Sequence, residues 1–403
     1  MKLFNVIDTR EANEQIQKFL KKNLKTTEID LKESMGYTLA TAIYAQEDTP
    51  AFYKSTVDGY AIIAQDTMGA SESTPAVLND KGSVEIGVEN THELASGDCL
   101  YLNTGAMLPK NATGVVMIEQ TEKIPQTNEI LVYTTVAHHQ NVTIPGTDVA
   151  KGNLLFEKNQ PIDERVMAVL ASQGIHTIKV YEKLTAIIIS SGNELVPYDS
   201  EIAMGEIRDT NVFLIKGLLE KHGITVKETF LIEDDFKTYT DVLKNNDADL
   251  YITSGGSSQG NEDFTYDVFH QLTGNVICHG LAIKPGKPTI IANTPNRLYL
   301  GLPGNPVSAY LVLKKTLIKS FLTTLGQDIP FVKGRLIHNM AGAPGKDTII
   351  LAKLTETGGE TWIKPIFYRS SSLLSLSEAD GYFVIKAGLE GVDENEEVEV
   401  ILF

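Results

Sequence analysis

The chain is poor in cysteine, in cationic residues and in long apolar runs, and each shortage removes a class of function. Cys99 and Cys278 are its two cysteines. Far apart in sequence, they exclude a disulfide framework and a thiolate metal cluster, fit a reducing compartment, and read as small core residues. Lys and Arg total 35 against 52 Asp and Glu, a formal charge of -17 at pH 7. No broad basic face can be assembled from so few clustered cations, so neither nucleic acid nor a membrane surface is an expected partner. No stretch approaches the roughly 20 apolar residues of a membrane span, and the first residues lack an apolar signal core, so a soluble, cytoplasmic protein is expected. Familiar catalytic signatures are also missing: there is no G-x-G-x-x-G, no H-E-x-x-H and no nucleophile elbow. Gly280 to Lys287 has the wrong glycine spacing for a P-loop, and Pro288 stands where that motif needs Ser or Thr. The eight histidines, His138-His139 among them, show no ligand spacing.

What the chain does have is three glycine-rich turns between Asp249 and Ala309. They are Thr253-Ser254-Gly255-Gly256 running on to Asp263, Leu281 to Pro288 with Lys284-Pro285-Gly286-Lys287 at its centre, and Gly301-Leu302-Pro303-Gly304-Asn305-Pro306-Val307-Ser308-Ala309. Each follows a short apolar run of strand type (Leu250 to Ile252, Val276 to Cys278, Leu298 to Leu300), and the first and third lead into helical periodicity. Such turns suit anions. Glycine lets backbone N–H groups approach a ligand, a helix N-terminus adds partial positive charge, and Lys284 and Lys287 add full charges on either side of a Pro-Gly bend. The expected ligand is phosphate-like or another oxyanion; the plain alternative for the lysines is a solvated surface.

At 403 residues, two to four domains are expected. Asp8 with Glu11 reads as a helix start, followed by the stripe Ile16, Phe19, Leu20. Between Ala45 and Thr147 short β runs take over, including Tyr60 to Ile63, Cys99 to Leu102, Val115 to Ile118 and Ile130 to Tyr133. Gly146 to Lys183 carries a helix with Pro161 expected near its first turn. From Leu184 to Gly326 strands alternate with helices, which predicts a mainly parallel sheet covered on both faces, with ligands at the carboxyl ends of its strands. After a long apolar helix from Val307 to Leu325, the runs at 348–351, 362–366, 382–385 and 397–400 suggest a small β module.

A dispersed set of carboxylates lies near these turns: Asp58, Glu194, the Glu233-Asp234-Asp235 run and Asp263. Each also has a structural reading, as an Asx-turn residue (Asp58), a solvated loop residue (Glu194), a helix cap (Asp235) or a first-turn acid (Asp263). Glu194, Asp235 and Asp263 together fall on the expected ligand side of one sheet, where carboxylates can hold Mg²⁺ against a phosphate.

The sequence resembles the molybdopterin molybdenumtransferases, the MoeA family, which is similar to the E domain of gephyrin. The likeness rests on Asp58-Gly59-Tyr60-Ala61, Thr104-Gly105-Ala106 with Pro109, Ser190 to Leu195, Gly205-Glu206-Ile207 with Asp209 and Asn211, Ser254-Gly255-Gly256 with Gly260 and Asp263, Lys284 to Pro288, and Gly301 to Ala309, all in the family's order. It departs from the family at Thr56-Val57, at Thr143-Ile144-Pro145 where arginines are usual, at Asn193 and at Ser257-Ser258-Gln259. The resemblance implies an α/β and β multidomain, elongated fold of four domains. These are expected at 1–45 with 146–183 (discontinuous), 46–145 (all-β), 184–326 (α/β, molybdopterin-binding) and 327–403 (a C-terminal β barrel). It implies Mg²⁺-dependent insertion of molybdate into adenylyl-molybdopterin with release of AMP, by a homodimer whose cleft is shared between subunits, with a molybdopterin adenylyltransferase as an implied partner. Carried over, Asp58, Thr104, Glu194 and Asp263 are catalytic, and Asp235 and Asp263 bear on the metal. Ser254, Gly255, Gly256, Lys284, Lys287, Pro303, Gly304, Asn305, Ser308 and Ser371 contact the substrates. The alternative is a non-catalytic molybdopterin-binding or scaffold paralogue.

Overall fold

The computed structural model describes residues 5–255, 262–367 and 369–403, except for the side chains of Glu262 and Asp263. Helix α1 (Thr9–Asn23) starts where Asp8 accepts a hydrogen bond from the Glu11 N–H at 2.8 Å, and it buries Ala12, Ile16, Phe19 and Leu20. Its apolar stripe does not pack on the strands that follow. Those residues join the core formed by the central sheet and the long helix near the end of the chain. Next, strand Thr26–Asp30 pairs antiparallel with Thr177–Tyr181, and Ile43–Tyr44 pairs with Leu154–Phe156. The two sequence-distant segments share a small core of Leu31, Leu39, Ile162, Val166, Leu170, Ile175, Ile178 and Val180. Helix α2 (Glu164–Ser172) is capped by Asp163. Pro161 therefore lies before the helix rather than in its first turn, where it bridges to Thr38.

Between these segments a curled mixed sheet runs in the order Gly114–Met117, Gly59–Ile62, Asp98–Leu102, Ala76–Val84, Glu129–Val132, Thr121–Lys123. Gly59 is required by spacing: a β-carbon there would sit 1.8 Å from the Val116 carbonyl oxygen of the neighbouring strand. Both cysteines are buried, and desolvation pushes each thiol up to about 12, as expected of core residues.

The central domain alternates as expected. Its elements are β1 (Thr185–Ser191), α3 (Asn211–Lys221), β2 (Thr225–Ile232), α4 (Phe236–Asn245), β3 (Leu250–Gly255), α5 (Glu262–Thr273), β4 (Val276–His279), β5 (Ile290–Asn293), β6 (Leu298–Leu302) and α6 (Pro306–Leu313). The sheet order is β2-β1-β3-β6-β5-β4; the first four strands are parallel, and β5 alone runs against the rest, pairing antiparallel with β6 on one side and β4 on the other. The side chains of alternate β1 residues go to opposite faces: Ala186 and Ile188 meet α3 and α6, while Ile187 and Ile189 meet Tyr239 and Leu243 of α4 and Phe269 of α5. Both faces are thus covered.

The long helix from Pro306 to Thr324 contains a five-residue π turn, Lys314–Ile318. Beyond it five strands (Phe331–Leu336, Asp347–Thr357, Glu360–Ile366, Gly381–Ile385, Glu397–Leu402) close into a barrel through the pairing of Asp347–Thr357 with Gly381–Ile385. A short strand, Ile283–Lys284, adds parallel to this barrel at Asp347 and Thr348. The fold is the α/β and β multidomain arrangement with a terminal barrel that the sequence predicts. No helix among the described residues is long and apolar enough to cross a membrane.

Asp347 sits at the junction. Its carboxylate accepts from the Thr9 hydroxyl at 3.1 Å and lies 3.3 Å from Lys315, and the two charged side chains are 14% and 6% exposed. Removing one partner of a buried pair strands the other charge, at a cost of about 3–5 kcal/mol. Asp347→Ala is expected to lower stability by that order in urea, followed by the fluorescence of the single tryptophan, Trp362, on a barrel strand. The double variant Asp347→Ala/Lys315→Met should recover most of the loss; a single variant as stable as the native chain would refute the role.

Candidate functional site

The register of the parallel strands aligns their carboxyl ends: Ser190 stands opposite Ser254, Ser191 opposite Gly255, and Ser254 opposite Leu302. Because β1 is flanked by β2 on one side and β3 on the other, the chain order reverses between β1 and β3, the position where open α/β sheets bind ligands. Gly255 makes the approach of these two strand ends possible. Its φ is +102°, and a β-carbon would lie 1.9 Å from the Ser191 carbonyl oxygen.

Three buried polar atoms at this edge lack hydrogen-bond partners among the described residues: Ser190 Oγ, Ser254 Oγ and Asn211 Oδ1. An unsatisfied buried polar group costs about 1–3 kcal/mol, and these three atoms at the end of one sheet can hydrogen-bond to a polar ligand there. Asn211 opens α3, and its amide donates to the Gly304 carbonyl at 2.8 Å, which ties α3 to the turn after β6. Asn305 stands at the N-cap position of α6 without a side-chain capping bond, Pro306 follows at the first helical position, and Ser308 is buried on that helix. The Val307 N–H donates to the Ser370 carbonyl at 3.1 Å, so the barrel loop carrying the exposed Ser371 lies against the same helix start.

The Lys284-Pro285-Gly286-Lys287 bend reaches this helix as well. Gly286, at φ +113°, packs so closely on α6 that a β-carbon would meet the Val312 side chain at 2.2 Å. Val312 lies one helical turn beyond Ser308 on the same face. The bend is fixed from within by the Thr289 hydroxyl, which donates to the Gly286 carbonyl at 2.7 Å, while Lys284 and Lys287 are exposed at its two ends.

Of the predicted carboxylates, Glu194 is exposed and folds back over Gly192, where a β-carbon would come within 2.9 Å of its Oε2. Asp235 caps α4, accepting from the Thr238 N–H at 2.7 Å, and this bond holds its carboxyl below the ordinary range. The loops bearing these two acids are joined by the Asp234 N–H, which donates to Asn193 Oδ1 at 3.2 Å. Gly256 and the Asp263 side chain lie outside the described residues; the backbone of Asp263 is in the first turn of α5. Among the described residues no three His, Cys, Asp or Glu side chains gather as a metal-binding group.

Asp58 and Thr104 form a separate pair on the curled sheet. Asp58 Oδ1 accepts from the Thr104 N–H at 2.7 Å and from its hydroxyl at 2.9 Å. The N–H first, and the hydroxyl second, hold this exposed carboxyl below its ordinary value, so it is ionised at neutral pH. Ser190 and Asn211 were not among the residues singled out as ligand contacts. Both lie in the quoted family motifs, but a motif carries no sign that a serine hydroxyl or an asparagine Oδ1 will be buried without a hydrogen-bond partner among the described residues.

Comparison with known proteins gives a consistent picture. The family model of the MoeA N-terminal region (domains I and II) matches residues 7–174, that of a probable molybdopterin binding domain matches 187–323, and that of the MoeA C-terminal region (domain IV) matches 333–403. A Methanocaldococcus jannaschii protein named for molybdopterin biosynthesis is 32% identical, covering 96% of this chain and 95% of the relative. A molybdopterin molybdenumtransferase of Staphylococcus epidermidis is 28% identical, covering 97% and 95%. The crystal structure of a Pyrococcus horikoshii molybdopterin biosynthesis MoeA protein superposes with a TM-score of 0.83 at 33% identity, covering 98% of this chain and 99% of that one.

The Asp58 pair yields a titration test. Thr104→Val keeps the N–H and removes the hydroxyl, so the Asp58 midpoint should rise while staying below the ordinary carboxylate value, as read by carboxyl ¹³C NMR. Because the native value is depressed, the associated stabilisation is present above the ordinary carboxylate range and is lost as pH falls through the native value. An unchanged midpoint would exclude the hydroxyl from the interaction.

Proposed function

The chain belongs to the MoeA family of molybdopterin molybdenumtransferases, enzymes of molybdenum cofactor biosynthesis, and from that premise we propose that it takes adenylyl-molybdopterin and molybdate, inserts the metal into the dithiolene and releases AMP. The observation that carries this reading is the set of unpartnered polar atoms on Ser190, Ser254 and Asn211 at the aligned strand ends, beside turns rich in N–H groups and cations. Molybdate is a compact dianion. Lys284 and Lys287, set by the bend at either side of Gly286, offer it charge-assisted hydrogen bonds, with Ser308 on the adjoining helix face. In this reading Ser254, Gly255 and the Pro303-Gly304-Asn305 turn orient the pterin and its phosphate, and Ser371 reaches over from the barrel.

Mg²⁺ needs only one or two protein carboxylates when substrate phosphate and water complete its shell, so the exposed, ionised Asp235 with Asp263 suits it, and it would neutralise charge on the phosphate oxygens. Glu194 then lines the same edge as a second negative group, free to orient water or a substrate hydrogen-bond donor. Asp58, kept anionic by Thr104, is assigned to the cleft of a partner subunit in a homodimer. An apolar patch beside Glu194 supports such docking: Tyr198, Ile202, Met204, Ile207 and Phe213 are each more than half exposed, and patches of this kind mark interaction sites.

Two outcomes test the assignment. Lys287→Ala should raise the half-saturating molybdate concentration about tenfold or more, the equivalent of roughly 1.5–3 kcal/mol for a hydrogen bond to a charged group, while adenylyl-molybdopterin affinity changes much less. A variant that loses the pterin nucleotide but keeps normal molybdate dependence would move Lys287 to the phosphate. Asp58→Asn and Asp263→Asn should each abolish molybdate-dependent AMP release, and mixing the two should restore part of it, since a heterodimer regains one intact cleft. No rescue despite demonstrated subunit exchange would rule out a shared cleft.

A further inference from the structure

Lys314 and Lys315 are consecutive, 7% and 5% exposed, and both lie on the π turn that interrupts the long helix. Such turns are rare and occur often at functional sites. The two lysines differ in one respect. Lys315 has Asp347 at 3.3 Å, whereas Lys314 has no acidic partner among the described residues, and its ammonium stands 5.4 Å from the centre of the Phe403 ring.

Lys314 lines a cavity of about 80 Å³ between the end of α3, the long helix and the barrel. Lys221, His222 and Lys319 line it too, with Tyr382 and Phe403 on the barrel side, and no Asp or Glu among the described residues borders it. The His222 Nε2 is buried without a hydrogen-bond partner among the described residues. Burial, with Lys314 and Lys221, drives His222 down to about 4, and burial with Lys221 lowers Lys314 to about 8, as expected of like charges crowded into a poorly solvated space. A buried ammonium without a counter-charge is costly, and a native fold normally supplies one. One water needs about 10–15 Å³, so the cavity has room for an anion of a few heavy atoms. It is separate from the site above. The end of α3 leads into the start of β2, which places Lys221 and His222 at the amino edge of the parallel sheet, across the domain from the Ser190–Ser254 edge.

We propose that this cavity binds a compact dianion of the inorganic phosphate class, held by Lys314, Lys221 and Lys319 with His222, and that the bound anion fastens the barrel to the α/β domain. The test uses the full chain, inorganic phosphate as probe, and sodium chloride to keep ionic strength constant, with thermal unfolding and titration calorimetry as readouts. Phosphate is expected to raise Tm and to bind a saturable site that persists in Lys287→Ala, whose substitution weakens the competing oxyanion site, and the comparisons below are made in that background. Lys314→Met should raise Tm in phosphate-free buffer, because an unpaired buried charge is gone, yet lose the phosphate-dependent rise and bind phosphate at least tenfold more weakly. Native phosphate affinity in Lys314→Met, or an equal rise from chloride alone, overturns the site. If Lys314→Met does not fold, Lys221→Gln on the exposed rim should weaken phosphate binding several-fold, and unchanged affinity there is equally decisive against it.

Discussion

The carboxylate of Asp347 is the interaction on which the assembly depends. It is the first residue of a barrel strand, it meets Lys315 from the long helix and the Thr9 hydroxyl from α1, and it accepts from the Ala387 N–H at 3.2 Å. Its own N–H donates to Ala282, which fixes the strand Ile283–Lys284 alongside. Three parts of the chain therefore converge on one charge, and a fourth on the backbone of the same residue. Burial would raise its pKa, but Lys315 and Lys386 outweigh burial and hold it below the ordinary range; Lys315, pulled down to about 8 by burial with only partial relief from Asp347, bears the desolvation cost. The functional reading inherits this dependence, since the same strand delivers Lys284 to the edge of the bend.

Much of the architecture was legible in the chain. The alternation of apolar strands with helical stripes beyond Leu184, the Asp8–Glu11 helix start and the β runs after 347 each rest on local periodicity or capping, and each is where the sequence predicts it. What periodicity cannot carry is partnership. The pairing of Thr26–Asp30 with Thr177–Tyr181 joins segments some 150 residues apart, and the attachment of Ile283–Lys284 to the barrel joins a turn to a different domain. Pro161 lies near the helix start as expected, but it is Asp163, two residues later, that caps the helix.

The candidate site divides along the same line. Glycine-rich turns and a lysine pair announce themselves by composition, whereas the hydroxyls of Ser190 and Ser254 and the Oδ1 of Asn211, unpartnered among the described residues, are apparent only once burial is known. Asp235 illustrates the converse, since the structure gives its carboxylate a capping bond while leaving it exposed and ionised, so a structural duty and a ligand duty fall on one residue. The rigid part of the edge is the floor, where Gly255 admits no side chain against Ser191. Variation in what the edge recognises is left to the turns above it.

The docking of α1 has a consequence for synthesis. Thr9 waits for Asp347, 338 residues later, and Asn5 for Ile277, 272 residues later. At the usual pace of about 5–20 residues per second, the first of these intervals lasts roughly 20–70 s. Throughout that time the stripe of Ala12, Ile16, Phe19 and Leu20 has left the ribosome without the surface that will cover it. The nascent chain thus carries an uncovered amphipathic helix for most of its translation.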